Sequence, residues 1–252
     1  MSLSKRENPL WRGVRAVPLL LALSAIVLSL VLIITGKLPL YVNPRYTVFT
    51  AVMAALALTL IFISTKTPVT AQHNHQVSKS QTVLQSAAAL LLVPLALLPH
   101  TPLSAERAGA AIATTQPTIT AAAPESSAVA AAQQSQDFNA WAQLLAAGST
   151  ANDLAGSTVH ATGFITATDS PDVLLLSRYS VTCCIVDAQP ITIPVYFPGW
   201  QQSQQPGQWL EITGFFIANP DPSGAHRTLL SVQHSTPLAP PANPYLDGTG
   251  GG

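Results

Sequence analysis

The sequence predicts a membrane α-helical N-terminal half with three spans, followed by a small all-β extracytoplasmic domain folded as an OB-like five-stranded barrel. Residues 1–100 contain three long apolar runs without charged residues. The sequence beyond residue 154 alternates short β-type segments with turn sequences. Residues 1–100 also carry a net charge of +7, whereas residues 136–252 carry −6. Such a split indicates that one chain occupies two environments.

The three apolar runs of the membrane domain, residues 1–100, are the predicted spans. Residues 16–35 and 46–65 each reach the roughly 20 residues that cross a bilayer as a helix. Residues 82–100 are shorter and contain Pro94, so this run is either a third span or a re-entrant or interfacial segment. The first run is too long for a cleavable signal peptide, and a second span follows it closely.

Lysine and arginine residues in the short loops predict the orientation of these spans. With three spans and a cytoplasmic N-terminus, six positive residues lie on the cytoplasmic side and three on the opposite side. We therefore expect the chain in the lipid bilayer of the plasma membrane, with the acidic C-terminal domain outside the cytoplasm. Without the third span, the same count would reverse this placement.

The region after the spans is predicted to contain a linker and then a folded domain. Residues 101–135 are dominated by Ala, Thr, Ser, Gln and Pro, which predicts a disordered tether. Residues 137–148 place apolar side chains at helical spacing, and Asp137 can serve as their N-cap. This pattern predicts a short helix that leads the β-barrel domain of residues 136–236.

Five short segments are the predicted strands of this domain: residues 157–166, 172–186, 191–197, 208–217 and 227–234. Five strands in about 85 residues fit a small closed barrel of OB type, or another small β-barrel. Pro194 cannot donate to a sheet ladder, which places the third strand at an edge or a bulge. The tail, residues 237–252, is predicted to be disordered.

The chain has only two cysteines, and they are adjacent. Neighbouring Cα atoms are about 3.8 Å apart, whereas disulfides prefer roughly 4.4–6.8 Å, so a bridge within the pair would be strained. Regular strand alternation would place Cys183 in the core and Cys184 at the surface beside Arg178. A β-bulge or a strand end near residues 184–187 would instead bring both thiols and Asp187 to one site.

The chemistry of the pair leaves three interpretations open. Two thiolates are ligands for zinc or another thiophilic metal, but two ligands do not complete a tetrahedral site. His160, His226, His234 or a partner protein would then supply the others. The second interpretation is a redox thiol centre. The third is a structural role, with Cys183 as a small buried apolar residue.

Other sequence features give weaker indications. His73 and His75 form a second, weaker metal candidate in the predicted cytoplasmic loop. No Ser/His/Asp arrangement, Gly-rich phosphate loop or paired-carboxylate signature stands out, so we do not expect an enzyme. The net charge of −6 over residues 136–252 argues against a nucleic-acid ligand, whose phosphates require positive side chains.

The segment LSRYSVTCCIVDAQPITIPVY resembles the hallmark of the YcgQ-like family of permease subunits. That hallmark consists of an arginine–aromatic pair, a vicinal Cys-Cys and an Asp-Ala step, which correspond here to Arg178, Tyr179, Cys183, Cys184, Asp187 and Ala188. Further similar stretches are YVNPRY at 41–46, QHNHQ at 72–76 and GQWLEITGFF at 207–216. The long tether is a departure from the family pattern.

The resemblance implies an accessory subunit that acts with a YcgR-like multi-span permease in a two-component membrane complex. It further implies metal-related transport, for which zinc is the usual suggestion. We then expect Cys183, Cys184 and Asp187 to bind or hand over a soft metal or metalloid. Arg178 and Tyr179 are expected to support them, Arg178 by pairing with Asp187 or by lowering a thiol pKa. The alternatives are a membrane-anchored thiol redox protein and a purely structural stabiliser of the permease.

Overall fold

The computed structural model describes residues 9–66, 103–114 and 126–247, and the chain divides into two compact units, Met1–Thr101 and Pro102–Gly252. The first unit contains helix α1 (Pro9–Ile34) and helix α2 (Thr47–Lys66). Two short 3₁₀-helices, Leu38–Leu40 and Pro44–Tyr46, connect them. The buried Asn43 caps the second of these, because its side chain accepts the Arg45 N–H at 3.1 Å.

Within the described residues, one helix is long and apolar enough to cross a membrane, Pro44–Ile63 with 20 residues. A shorter apolar helix covers Leu21–Ile34. The described part of the chain thus shows one or two apolar helices, and three spans are not confirmed. The run at 82–100 and the histidine pair at 73 and 75 lie outside the described residues.

The described residues of the second unit form three α-helices and six strands. The helices are α3 (Ala105–Thr114), α4 (Ser126–Ser135) and α5 (Phe138–Ala146). The strands are β1 (Thr158–Thr166), β2 (Val173–Val181), β3 (Gln189–Tyr196), β4 (Trp209–Ala218), β5 (Thr228–Leu238) and β6 (Tyr245–Asp247).

Strands β1 to β5 form a closed barrel, as the sequence predicted. The sheet order is β1-β4-β5-β3-β2, and a further pairing of β1 with β2 closes it. All neighbours are antiparallel except β3 and β5, which pair in parallel. The main difference from the predicted strands concerns β2, which ends at Val181 instead of continuing to residue 186.

Two glycines permit the close strand approach that closure requires. Gly163 lies where β1 changes partner from β4 to β2, and a Cβ there would lie 2.7 Å from the Ser177 carbonyl oxygen. Gly214 follows a register shift between β4 and β5, and a Cβ there would overlap the Ser231 carbonyl oxygen. Glycine inside a strand commonly marks such bends and bulges.

Apolar side chains that alternate along the strands fill the barrel. They include Val159, Ala161, Ile165, Leu174, Leu176, Ile193, Val195, Leu210, Ile212 and Leu230. Helix α5 packs against this core through the fully buried Trp141, whose ring centroid lies 5.5 Å from that of Phe216. Asp137 caps α5 by accepting the Asn139 N–H at 3.1 Å, so the predicted leading helix is present.

The disorder predicted for the tether and for the tail was wrong in the parts that the structure describes. Helices α3 and α4 lie within residues 101–135, of which residues 115–125 are outside the described range. In the tail, β6 pairs in parallel with β2, with Tyr245 opposite Tyr179. These segments carry too little apolar surface to fold alone, but they order by packing on the barrel.

A second apolar cluster forms where these segments meet the barrel. It contains Ala108, Phe164, Tyr179, Val181, Trp209 and Tyr245, and Ala188 packs against it. Val181 ends β2 and Ala188 precedes β3, so the cluster holds both ends of the intervening turn. We call residues 182–187 the cysteine turn.

Candidate metal centre

The cysteine turn is a sharp local departure from strand geometry. Cys184 keeps an extended backbone, with φ −158° and ψ 171°, and serves as N-cap of a short 3₁₀-helix, Ile185–Asp187. The expectation that Cys183 continues the strand and points into the core was therefore wrong. Cys183 is exposed and Cys184 is half-buried, because the strand ends two residues before the pair.

The Asp187 carboxylate fixes the shape of this turn. Its Oδ1 accepts the Thr182 N–H at 2.9 Å. Its Oδ2 accepts the N–H groups of Cys183 at 2.7 Å and Cys184 at 3.3 Å. Three consecutive backbone donors converge on one anion, an arrangement typical of anion-binding backbone nests and helix caps. The spacing Cys184-x-x-Asp187 is that of a capping box, a signal that the sequence does contain.

The turn brings both thiols and the carboxylate to one place. The two sulfurs lie 3.4 Å apart, and neither cysteine forms a disulfide. One possible ligand atom from each of Cys183, Cys184 and Asp187 lies within 4.8 Å of the others. This is the arrangement expected if the strand ends before the pair. Two sulfurs and one oxygen at this spacing are a suitable donor set for a thiophilic cation.

The predicted histidine ligands do not join this group. Among the residues that the structure describes, the cluster contains no histidine. His160 instead bonds the Thr213 hydroxyl through Nδ1 at 3.0 Å, and His234 bonds the Thr236 hydroxyl at 3.3 Å. His226 is half-buried, and the resulting desolvation lowers its pKa. Within the described residues no further side chain joins the cluster, so another ligand to an ion at the cysteine turn would come from water, a small anion, another molecule or a part of the chain outside the described ranges.

The thiol and the carboxylate shift each other's pKa in opposite directions. Hydrogen bonding to the Asp187 carboxylate is the main cause that raises the pKa of Cys183 to about 12, and the Cys184 thiol adds to it. The same Cys183 hydrogen bond, together with the backbone donors, lowers the pKa of Asp187 to about 2. At neutral pH the turn thus holds a carboxylate anion beside a protonated Cys183. A metal ion would have to displace that proton, because the thiolate is the ligand.

Arg178 contacts the C-terminal segment and not the cysteine turn. Its guanidinium donates to the carbonyl oxygens of residues 243–245 at 3.3 to 3.4 Å and lies 5.9 Å from the centre of the Trp209 ring. Within residues 126–247 it forms no ion pair with Asp187, so that expectation was wrong. Its predicted effect on the thiols was also wrong, since the pKa of Cys183 is raised rather than lowered.

Tyr179 is a structural residue of the second apolar cluster. Its ring is buried, with its centroid 5.7 Å from that of Phe164, and its hydroxyl donates to the Ser104 carbonyl at 3.0 Å. The neighbouring Tyr245 hydroxyl accepts the Leu103 N–H at 3.3 Å. These two tyrosines fasten the segment before α3 and the C-terminal strand to the barrel.

The sequence did not predict the groups that the Arg178 and Tyr179 side chains bind. Residues 103–104 and 243–245 lie in segments that were predicted to be disordered, and no motif marks them. Their partners are about 65 to 75 positions distant along the chain, because the contacts of Arg178 and Tyr179 are tertiary. Only the fold brings them together.

Comparison with protein families assigns both parts of the chain. Residues 17–113 match the DUF1980 N-terminal domain, and residues 121–246 match the DUF1980 C-terminal domain. No curated protein and no solved structure matches the chain. The matched family is uncharacterised, and its description carries neither the YcgQ-like name nor an activity. The chain belongs to the DUF1980 family.

Proposed function

We propose that this DUF1980 protein is an accessory subunit of a two-component membrane permease, and that its barrel domain binds and hands over a soft metal or metalloid. Zinc is the first candidate cargo. The observation that carries the proposal is the convergence of the Cys183 and Cys184 sulfurs with the Asp187 carboxylate, within 4.8 Å, on an accessible turn.

The donor set suits transfer better than permanent storage. Structural zinc sites are closed by four protein ligands, whereas sites that exchange a ligand keep an open position. The cysteine turn offers at most three ligand atoms, and Cys183 is exposed. A cation bound here therefore retains a coordination position that an acceptor protein can occupy.

The electrostatics argue against thiol redox catalysis. Reactive redox cysteines have a lowered pKa, whereas the Asp187 carboxylate raises the pKa of Cys183 to about 12. A bound cation reverses that effect, because its positive charge stabilises a thiolate beside the carboxylate. The chain also lacks the Cys-x-x-Cys spacing of dithiol oxidoreductases. A purely structural role for the thiols fits poorly with their position outside both apolar clusters.

The membrane placement completes the proposal. The apolar helix Pro44–Ile63 and the shorter one at Leu21–Ile34 support an anchored chain. With a third span at 82–100, the barrel domain would lie outside the cytoplasm, beside a YcgR-like multi-span permease in the plasma membrane. The strand order and closure of the barrel support an OB-like fold. The net charge of −6 over residues 136–252 supports a cationic cargo and argues against a nucleic-acid partner.

Equilibrium zinc binding tests the proposal. The purified chain, in detergent and with reduced thiols, is titrated against a competing zinc indicator beside a double variant, Cys183→Ser with Cys184→Ser. We expect one zinc per chain in the parent and at least about a 100-fold loss of affinity in the double variant, as expected when two linked ligands are removed. Equal affinities in the two proteins would refute a metal role for the pair.

Cysteine labelling in intact cells tests the placement. A membrane-impermeant maleimide should modify the parent chain and leave the double serine variant unlabelled. Labelling only after the cells are lysed would place the barrel domain in the cytoplasm and would contradict the proposed orientation.

A further inference from the structure

We infer that the two thiols form a bent chelate whose shape is set by Asp187, and that the cargo is an ion that accepts two thiolates at about a right angle. Trivalent arsenicals fit this angle directly, and tetrahedral zinc fits it after a small side-chain rotation. The inference rests on the proposed function for the existence of a cargo, and it adds the coordination geometry that selects one. It also assigns Asp187 a positioning role in addition to its place in the donor set.

The distance between the two sulfurs supports the bent geometry of the chelate. At a metal–sulfur bond length of about 2.3 Å, two sulfurs 3.4 Å apart subtend about 95° at the ion. A tetrahedral angle needs a separation of about 3.8 Å, which a small side-chain rotation supplies. A linear arrangement needs about 4.6 Å, so the sulfurs would have to move apart by about 1.2 Å. The turn therefore presents its thiols in the form that bent coordination requires.

The backbone between the sulfurs is held by hydrogen bonds. Asp187 accepts the N–H groups of Thr182, Cys183 and Cys184, one on Oδ1 and two on Oδ2. Val181 and Ala188, on either side of the turn, are packed in the second apolar cluster. Rearrangement of the turn would break these bonds, so the fold fixes the backbone positions from which the two thiols project.

The same hydrogen bonds make Asp187 a positioning residue. Its Oδ2 already accepts two donors, Cys183 N at 2.7 Å and Cys184 N at 3.3 Å, and its Oδ1 accepts a third from Thr182. The strong ligands that the cysteine turn offers are consequently the two sulfurs. Cys183 is exposed, so water or an acceptor could reach an ion that the two sulfurs would hold.

Phenylarsine oxide is a direct probe of such a chelate, because its arsenic binds two thiols and carries a phenyl group in the third position. In the reaction two As–S bonds form, while the arsenic–oxygen bond and both S–H bonds break. The oxygen leaves as water with the two thiol protons, and arsenic remains trivalent. No oxidant or reductant is required.

The experiment counts thiols in the full chain, purified in detergent under reducing conditions and then freed of reductant. Before the probe is added, a disulfide reagent should detect two thiols per chain. After one equivalent of phenylarsine oxide it should detect none, and 2,3-dimercaptopropanol should restore both. In Cys183→Ser and in Cys184→Ser, capture should weaken at least about 100-fold, the scale of effective-concentration gains for linked groups.

A matched pair of carboxylate variants tests the role of Asp187. We expect Asp187→Asn to retain two detectable thiols, to capture the arsenical about tenfold more weakly, and to show faster amide exchange at residues 182–184 before any ion is added. Asp172→Asn removes an exposed carboxylate elsewhere and should change none of these readouts. If Asp187→Asn leaves amide exchange at residues 182–184 unchanged, Asp187 is not a positioning residue.

The outcomes separate this inference from the proposed function. If zinc binding depends on the pair but the two thiols of the parent react with the arsenical independently, the bent chelate is wrong and the metal role stands. If one arsenical consumes both thiols but the double serine variant binds zinc as tightly as the parent, the chelate stands and the zinc role is wrong.

Discussion

The two halves of the segment from Arg178 to Ala188 behave differently, although they are adjacent in sequence. Residues 178–181 end strand β2, and their side chains find partners in the fold, among them the Ser104 carbonyl and the carbonyl oxygens of residues 243–245. Residues 182–187 form the cysteine turn, whose Asp187 side chain binds the turn's own backbone and whose Cys183 faces solvent.

This difference shows that one short segment contains both a structural anchor, residues 178–181, and a candidate site, residues 182–187. The strand half fastens α3 and β6 to the barrel, and it thereby stabilises the cluster that holds both ends of the turn. The turn half contributes little to packing and presents the reactive atoms. Substitutions in the strand half should therefore change stability, whereas substitutions in the turn half should change ligand binding and thiol reactivity.

The largest expected effect is a loss of folding stability on substitution of Tyr179, in the strand half of the segment. Tyr179→Ala removes a buried aromatic ring and should lower the free energy of unfolding by about 3–5 kcal/mol, the usual cost of such a truncation. Tyr179→Phe retains the ring and loses only the hydrogen bond to Ser104, a cost of about 1 kcal/mol. Urea unfolding followed by tryptophan fluorescence measures both, since three of the four tryptophans lie in the second unit. Equal stabilities for the two variants would show that Tyr179 does not anchor the fold by packing.

A smaller loss of stability is expected at Arg178. Arg178→Met removes three hydrogen bonds to the C-terminal segment, and these are long, so we expect a loss of about 1–2 kcal/mol. Zinc affinity should stay within about twofold of the parent, because Arg178 makes no contact with Asp187. A large loss of zinc affinity with unchanged stability would reverse the assignment and place Arg178 in the site.

The reactivity of Cys183 should depend on Asp187. Because the carboxylate raises the pKa of Cys183 to about 12, the thiol remains mostly protonated at pH 8, and alkylation by iodoacetamide should be slow and should accelerate as the pH rises towards that value. Asp187→Asn removes the anion, lowers the pKa of Cys183 and should speed its alkylation at pH 8 at least about tenfold. Peptide mass spectrometry distinguishes the two cysteines, and Asp172→Asn is the control. A slower reaction in Asp187→Asn would contradict the electrostatic account.

The smallest expected effect is on stability in the turn. Cys183→Ser changes an exposed side chain outside both apolar clusters, so the free energy of unfolding should change by no more than about 0.5 kcal/mol. Urea unfolding measures it under the same conditions as the Tyr179 variants. A loss comparable to that of Tyr179→Ala would mean that the thiol is part of the core after all.

The barrel could be predicted from the sequence because its signals are local. Strands β1 and β3 to β5 follow alternating apolar segments between turn residues, and their limits differ from the predicted ones by few positions. The end of β2 could not be read in this way, since VTCCIV continues the apolar, β-type pattern. The strand ends because the Asp187 carboxylate accepts hydrogen bonds from three backbone N–H groups. The apolar alternation of the sequence gives no sign that a side chain competes with the strand for these donors.

The roles of Arg178 and Tyr179 were beyond prediction for a different reason. Both residues bind segments distant along the chain, and those segments have compositions typical of disorder. Their order depends on the barrel surface that Tyr179 itself helps to build. The candidate site, by contrast, lies within five consecutive residues, 183–187, so its members could be proposed from the sequence even though the strand geometry around them could not be predicted.

X-ray absorption at the zinc edge of the zinc-loaded chain tests the central claim most directly, because it counts the sulfur atoms around the metal. We expect two sulfurs at about 2.3 Å with oxygen ligands in the other positions, and one sulfur in Cys183→Ser. Tyr179→Phe and Arg178→Met should give the parent spectrum. A spectrum with only nitrogen and oxygen neighbours would contradict the assignment of the cysteine turn as the metal centre.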